Sequence, residues 1–151
     1  MFDLKDLYQE VIIDHSRRPR HFGKLADSNR EAEGFNPLCG DRLVVALIVE
    51  DGLVKDAAFE GVGCAISTAS ASMMTDMVVG KAESEARALF HQFQELVTRK
   101  APPTADELAA IEKLAALTGV RAFPARVKCA TLAWHTLAAA LDEQHEAVKT
   151  E

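Results

Sequence analysis

At 151 residues the chain is long enough for one domain with a real apolar core, and 48% apolar with 26% charged residues is an ordinary globular balance. Its 17 basic against 23 acidic residues leave a net charge of −6, which argues against a broad nucleic-acid footprint. No apolar run approaches the roughly 20 residues needed to cross a bilayer. The opening "MFDLKDLYQE" alternates polar with apolar and does not read as a secretory signal. Three cysteines, an odd number, then point to a reducing cytoplasm and to free thiols or metal ligands rather than disulfides.

In chain order, Asp3 is placed to cap a first helix carrying the stripe Leu4, Leu7, Tyr8, Val11 and Ile12, which should fail before Pro19. Around that proline cluster Arg17, Arg18, Arg20, His21 and Lys24, either a solvated helix end or a docking patch for an acidic partner. A short strand is expected before Asn36. "RLVVALIVE" and "LVKDAAFEG" then flank Asp51-Gly52, the strongest short-range hairpin signal available. From residue 64 the pattern turns helical. A small-residue helix ends near Gly80, its Met73, Met74 and Met77 reading as core filler, and a second helix starts near Ser84. A third has Thr104 as N-cap, Glu107 three residues on and Gly119 to stop it; a last runs from about Val127 to Ala147. The order predicts an α+β fold, one domain over 1–151, with helices packed on one antiparallel sheet.

The cysteines stand at 39, 64 and 129, each at a junction between elements: a turn before a strand, a strand end, and a helix start. Thiolates near helix N-termini are favoured by the dipole and by unpaired N–H groups. Asp41, two residues past Cys39 on the same Pro- and Gly-marked turn, can add a fourth ligand. Three thiolates and a carboxylate suit zinc, and the ligand types also admit iron. Spacing alone leaves a bland reading open, since Cys129 is in phase with Leu132, Ala133 and Leu137 and free cysteines are often core residues. No CxxC supports a redox dithiol. His15, His21, His91, His135 and His145 read as structural or surface residues.

"LYQEVIIDHSRRPRHFG", "NPLCGD", "GVGCAISTASASMM" and "FPARVKCATLAWHTL" together resemble the U-type iron–sulfur cluster assembly proteins, the IscU/NifU-like family, over about residues 7–141. The resemblance implies a three-stranded antiparallel sheet packed against five or six helices, and convergence of Cys39, Asp41, Cys64 and Cys129 on one metal. Scaffold members carry a His immediately before the third cysteine; here it is Lys128, and an ammonium has no lone pair to give a metal. "FPARVK" stands in place of the scaffolds' chaperone-recognition segment, and a helical insertion at about 100–120 lengthens the Cys64–Cys129 interval. These departures are similar to the SufU type. That type implies a zinc-dependent sulfurtransferase or sulfur carrier acting with a PLP-dependent, SufS-like cysteine desulfurase and downstream SUF-type assembly proteins. In this reading Cys39 is the persulfide acceptor, a partner histidine takes its place on the zinc, and Arg126 supplies charge compensation by pairing with Asp41 or with a freed thiolate. Arg18, Arg20 and His21 belong to the docking patch. The alternatives are a scaffold on which an Fe–S cluster, or iron, is held, and a protein whose zinc is purely structural.

Overall fold

The computed structural model describes residues 4–143 and 147–149; the expected cap Asp3 and His145 lie outside the described residues. Helix α1 (Leu4–Arg17) ends two residues before Pro19, as the proline's steric demand on its predecessor requires. Strands β1 (Arg30–Asn36), β2 (Asp41–Glu50) and β3 (Leu53–Val62) follow as an antiparallel meander. Asp51 and Gly52 both take positive φ, 53° and 75°, giving the hairpin turn whose twist matches its strands.

Helices α2 (Ala65–Val78), α3 (Glu83–Thr98) and α4 (Ala105–Ala110), a 3-10 helix (Glu112–Ala122) and α5 (Pro124–Leu141) complete the helical layer. Trp134, Phe59, Phe93, Leu43, Leu47, Met73 and Met74 are fully buried between helices and sheet. The small residues of α2 serve close packing: Ser70 Oγ donates to the Ala130 carbonyl of α5 at 2.5 Å, and Ser72 Oγ meets His15 Nδ1 of α1 at 2.7 Å. His15 is thus a buried structural residue.

Two expectations are corrected. The helix expected from Thr104 to Gly119 keeps its capping box, with Thr104 Oγ1 accepting from Glu107 N–H at 3.2 Å and Glu107 accepting from Thr104 N–H at 3.0 Å. It nevertheless breaks after Ala110, where Glu112 takes a left-handed φ of 51°. The chain resumes as a 3-10 helix that passes Gly119 and stops at Ala122. The reason is the apolar spacing: Ile111, Leu114, Leu117 and Val120, all buried, recur every third residue, the period of a 3-10 turn. Second, α5 begins at Pro124, a good first-turn residue, and ends at Leu141 well before Ala147, because Glu143 enters the left-handed region at φ 56°. The three antiparallel strands stand as expected, and Val148–Lys149 add a short strand, β4, pairing parallel to β1, so the sheet order is β3-β2-β1-β4.

The basic segment after α1 is a strap. Arg20 Nη2 pairs with Asp14 Oδ2 at 2.6 Å, and Arg20 N–H donates to Ser72 Oγ at 2.8 Å. Phe59 N–H donates to the His21 carbonyl and Gly23 N–H to that of Phe59, stitching the strap to the edge strand β3. His21 Nε2 lies 4.0 Å from Asp76 Oδ1. Of the expected patch, Arg18 and Lys24 are exposed, while Arg20 is held in place by Asp14.

Candidate metal centre

The β1–β2 connection is built by Asn36, which is fully buried. Its Oδ1 accepts from Leu38 N–H at 3.2 Å, while its backbone carbonyl accepts from the N–H groups of Cys39 and Gly40. Gly40 closes the turn at φ 72°, a conformation that favours glycine. Cys39 is thereby lifted to the surface, while Asp41, the first residue of β2, turns inward and is only 1% exposed.

Where β3 gives way to α2, Cys64 is the N-cap: its Sγ accepts from Ser67 N–H at 3.4 Å, and its own N–H donates to Asp41 Oδ1 at 2.8 Å. Gly63 makes this contact possible, since a Cβ there would lie 3.0 Å from Asp41 Oδ1 and 3.2 Å from Ser67. Cys129 lies in the second turn of α5, not its first, so the helix-terminus dipole expected to favour its thiolate is largely spent there. Its sulfur is buried and accepts from Asn36 Nδ2 at 3.6 Å.

The three junctions meet. Ligand atoms of Cys39, Asp41 and Cys129 all lie within 4.8 Å of one another, and the Cys39 and Cys129 sulfurs are 3.4 Å apart. Cys64 stands just outside that tight group, with its Sγ 3.9 Å from Asp41 Oδ2. Two sulfurs on one tetrahedral zinc, at bonds of about 2.3 Å, would sit about 3.8 Å apart, so the Cys39–Cys129 pair needs only tenths of an ångström of adjustment to share an ion. Burial, then the neighbouring Cys39, Asp41 and Cys64, push the Cys129 thiol far above the ordinary cysteine range. A cluster that resists negative charge while empty, yet is made of anionic ligand types, is suited to a cation. The residues fit a thiophilic dication.

The chain belongs to the NifU-like N-terminal domain family. That family model matches residues 7–150. The iron–sulfur cluster assembly scaffold protein IscU of Streptococcus pyogenes serotype M1 is 46% identical over 138 residues, covering 91% of this chain and 84% of the relative. The zinc-dependent sulfurtransferase SufU of Bacillus subtilis is 44% identical over 135 residues, 89% of each chain. Among solved structures, a SUF-system assembly scaffold protein from Fervidobacterium islandicum superposes with a TM-score of 0.78 at 32% identity, covering 92% of this chain and 99% of that one. The relatives agree with the α+β fold read from the sequence, and they place the chain among iron–sulfur cluster assembly proteins.

Of the two partners expected for Arg126, Asp41 is not the one it meets here. Its guanidinium lies over the Phe123 ring, 4.7 Å from the centroid, and no ion pair joins it to Asp41 among the described residues. Lys128 is half-buried one residue before Cys129. Sequence reasoning missed Asn36 as a site residue, naming it only as the end of a short strand; its burial and its contact with the Cys129 sulfur place it in the site. It also missed three exposed apolar side chains, Leu38 beside Cys39, Val62 two before Cys64, and Phe123 at the foot of α5. Among the described residues, no helix is long and apolar enough to cross a membrane.

Proposed function

We propose that this protein is a zinc-binding sulfur acceptor that takes persulfide sulfur from a PLP-dependent cysteine desulfurase for iron–sulfur cluster biogenesis. The observation that carries the reading is the placement of an exposed cysteine, Cys39, on a glycine-closed turn directly above a buried thiol and carboxylate. Cys39, Asp41, Cys64 and Cys129 would hold the zinc, and bound zinc keeps such thiols ionised and protected. The name of the B. subtilis relative, at 44% identity, supports the same chemistry.

In the transfer, the Cys39 sulfur attacks the terminal sulfur of the donor's cysteine persulfide. A new bond forms between Cys39 Sγ and that sulfur, the donor's own sulfur–sulfur bond breaks, and the donor cysteine leaves as a thiolate; no net oxidation occurs. Of the candidate ligands only Cys39 and Cys64 are exposed, and Cys64 is tied into the α2 cap through both its sulfur and its N–H. The apolar Leu38, Val62 and Phe123 near these junctions suit coverage by a protein donor rather than a free metabolite.

Incubation with desulfurase and cysteine, followed by mass spectrometry of tryptic peptides, should place one added sulfur on Cys39, and Cys39→Ala should abolish it. Sulfur found on Cys64 or Cys129 in the wild type would overturn the assignment. The second reading, a cluster scaffold, is favoured by the 46% identity to the S. pyogenes protein of that name. Lys128 separates the two. Lys128→His should make anaerobic iron and sulfide loading at least tenfold more stable, with the wild type holding only a labile cluster by absorption spectroscopy. A stable cluster in the wild type, passed intact to an apo-acceptor, would favour the scaffold.

A further inference from the structure

The Cys39 and Cys129 sulfurs differ in access as well as position. Cys39 is exposed, whereas Cys129 is 2% exposed beneath it, with Asn36 Nδ2 donating to its sulfur. Their 3.4 Å separation is far beyond a disulfide bond of about 2.05 Å and falls within the roughly 3–3.5 Å of reacting atoms poised for attack. Cys64 has no such place: it is turned to the carboxylate, 3.9 Å from Asp41 Oδ2, and held in the cap of α2.

We infer that Cys129 is a resolving cysteine, which discharges the sulfur taken up by Cys39 as inorganic sulfide. This rests on the acceptor reading of Cys39 and adds the fate of the sulfur. The Cys129 sulfur attacks Cys39 Sγ, the inner sulfur of the persulfide anion, and the Cys129 thiol proton passes to the terminal sulfur. A bond forms between the two Sγ atoms, the bond from Cys39 Sγ to the terminal sulfur breaks, and that sulfur leaves with its proton as HS⁻. Two electrons pass from the two cysteines to the departing sulfur, so the cysteines end as a disulfide and the sulfur as sulfide. HS⁻ is a weaker base than an alkyl thiolate, which makes it the better leaving group. A thiol reductant, either a low-molecular-weight thiol or a protein dithiol, then returns the disulfide to two thiols through the exposed Cys39. The layered arrangement assigns the roles: sulfur enters at the exposed outer thiol, and the inner thiol is buried beside it.

The test uses the full chain with its metal. Cys39 is charged by desulfurase with one equivalent of cysteine or, independently of that enzyme, by a low-molecular-weight persulfide; donors are then removed and reductant is withheld. Sulfide is followed with time, and disulfides are mapped on non-reduced peptides. The wild type should release close to one sulfide per persulfide while gaining a Cys39–Cys129 disulfide, with Cys64 remaining a free thiol. Cys129→Ser should keep its persulfide on Cys39 at least tenfold longer. Because that change also removes a candidate metal ligand, the disulfide map of the wild type stands as a separate measurement independent of the variant's folding. A wild-type persulfide that does not decay, sulfide released without a disulfide, or a disulfide to Cys64 would each overturn the inference. Failure of the desulfurase to charge Cys39, with chemically charged protein still releasing sulfide, would overturn the donor assignment and leave the resolving step standing.

Discussion

Asp41 has two tasks that different substitutions separate. Its Oδ1 accepts the Cys64 N–H at 2.8 Å, fixing the start of α2, and its Oδ2 faces the Cys64 sulfur at 3.9 Å, where a shared metal would sit. Asp41→Asn keeps a carbonyl acceptor for the N–H but removes the anionic oxygen, whereas Asp41→Ala removes both. A hydrogen bond to a charged group contributes about 1.5–3 kcal/mol, and for chains of this length each kcal/mol moves Tm by about 2–4 °C. Metal-free Asp41→Ala should therefore melt about 3–12 °C below metal-free wild type, with Asp41→Asn falling by only about a third of that. Zinc affinity should behave differently, because both variants lose the ligand. Outer-sphere partners alone are worth 10–100-fold in metal affinity, so loss of a direct ligand should cost at least about 100-fold in each, or ~2.8 kcal/mol. Competition with a chromogenic chelator measures the affinity, and melts with and without chelator measure the stability. Wild-type zinc affinity in Asp41→Asn would refute the ligand role, and an unchanged metal-free Tm in Asp41→Ala would refute the structural one.

Gly63→Ala should lower zinc affinity and stability together, because its Cβ meets the Asp41 carboxylate at 3.0 Å and Ser67 at 3.2 Å, so one of them must give; wild-type values in the same chelator and melting assays would show that the junction yields freely. The fold lowers the pKa of His15, through burial first and then the positive charges of Arg20 and Lys113, with Asp14 and Asp76 opposing. The unfolded chain therefore binds a proton near pH 6.5, where the folded chain does not yet, and the stability held above that pH is lost as pH falls below it. Melts from pH 7.5 down to 5 should show this loss, and His15→Gln, though less stable at neutral pH for want of the Ser72 contact, should show a shallower acid slope; an unchanged slope would assign the loss elsewhere.

Much of the fold was legible because local chemistry and tertiary structure agree. Asp51-Gly52, the Thr104 and Glu107 capping box, and Pro19 each act within a few residues, and each does in the structure what its chemistry requires. The insertion was half legible. A helix was expected from its end signals, Thr104 with Glu107 and then Gly119, but the threefold spacing of Ile111, Leu114, Leu117 and Val120 carries the distinction between an α-helix and a 3-10 helix, and end signals do not. The parallel pairing of β4 with β1 at Gly34 and Phe35 has no local signature at two residues' length. The Asp41 pairing that the resemblance offered Arg126 is not made in this structure, where the guanidinium stacks on the Phe123 ring nearer to hand.

The site was announced by one residue more strongly than by its cysteines. Along β2 the inward positions 41, 43, 45 and 47 carry Asp, Leu, Val and Leu, and all four are nearly inaccessible. Three of them are ordinary core; the first is an acid in a core position, where a charge requires a partner. The fold provides only part of one. The Cys64 N–H binds one oxygen, while the other faces sulfur, with Cys39 and Cys129 completing the ring. Each supporting feature also has a local reason: Asn36 and Gly40 aim the turn, Gly63 makes room for the carboxylate, and the α2 cap fixes Cys64. No hydrophobic-core requirement explains an inward acid ringed by three thiols at three separate junctions, whereas a shared cation explains the acid, the thiols and the glycine together. An inward acid at the head of a strand is therefore a stronger pointer to a metal than cysteine spacing, because the strand's alternation fixes its direction and burial makes its charge costly.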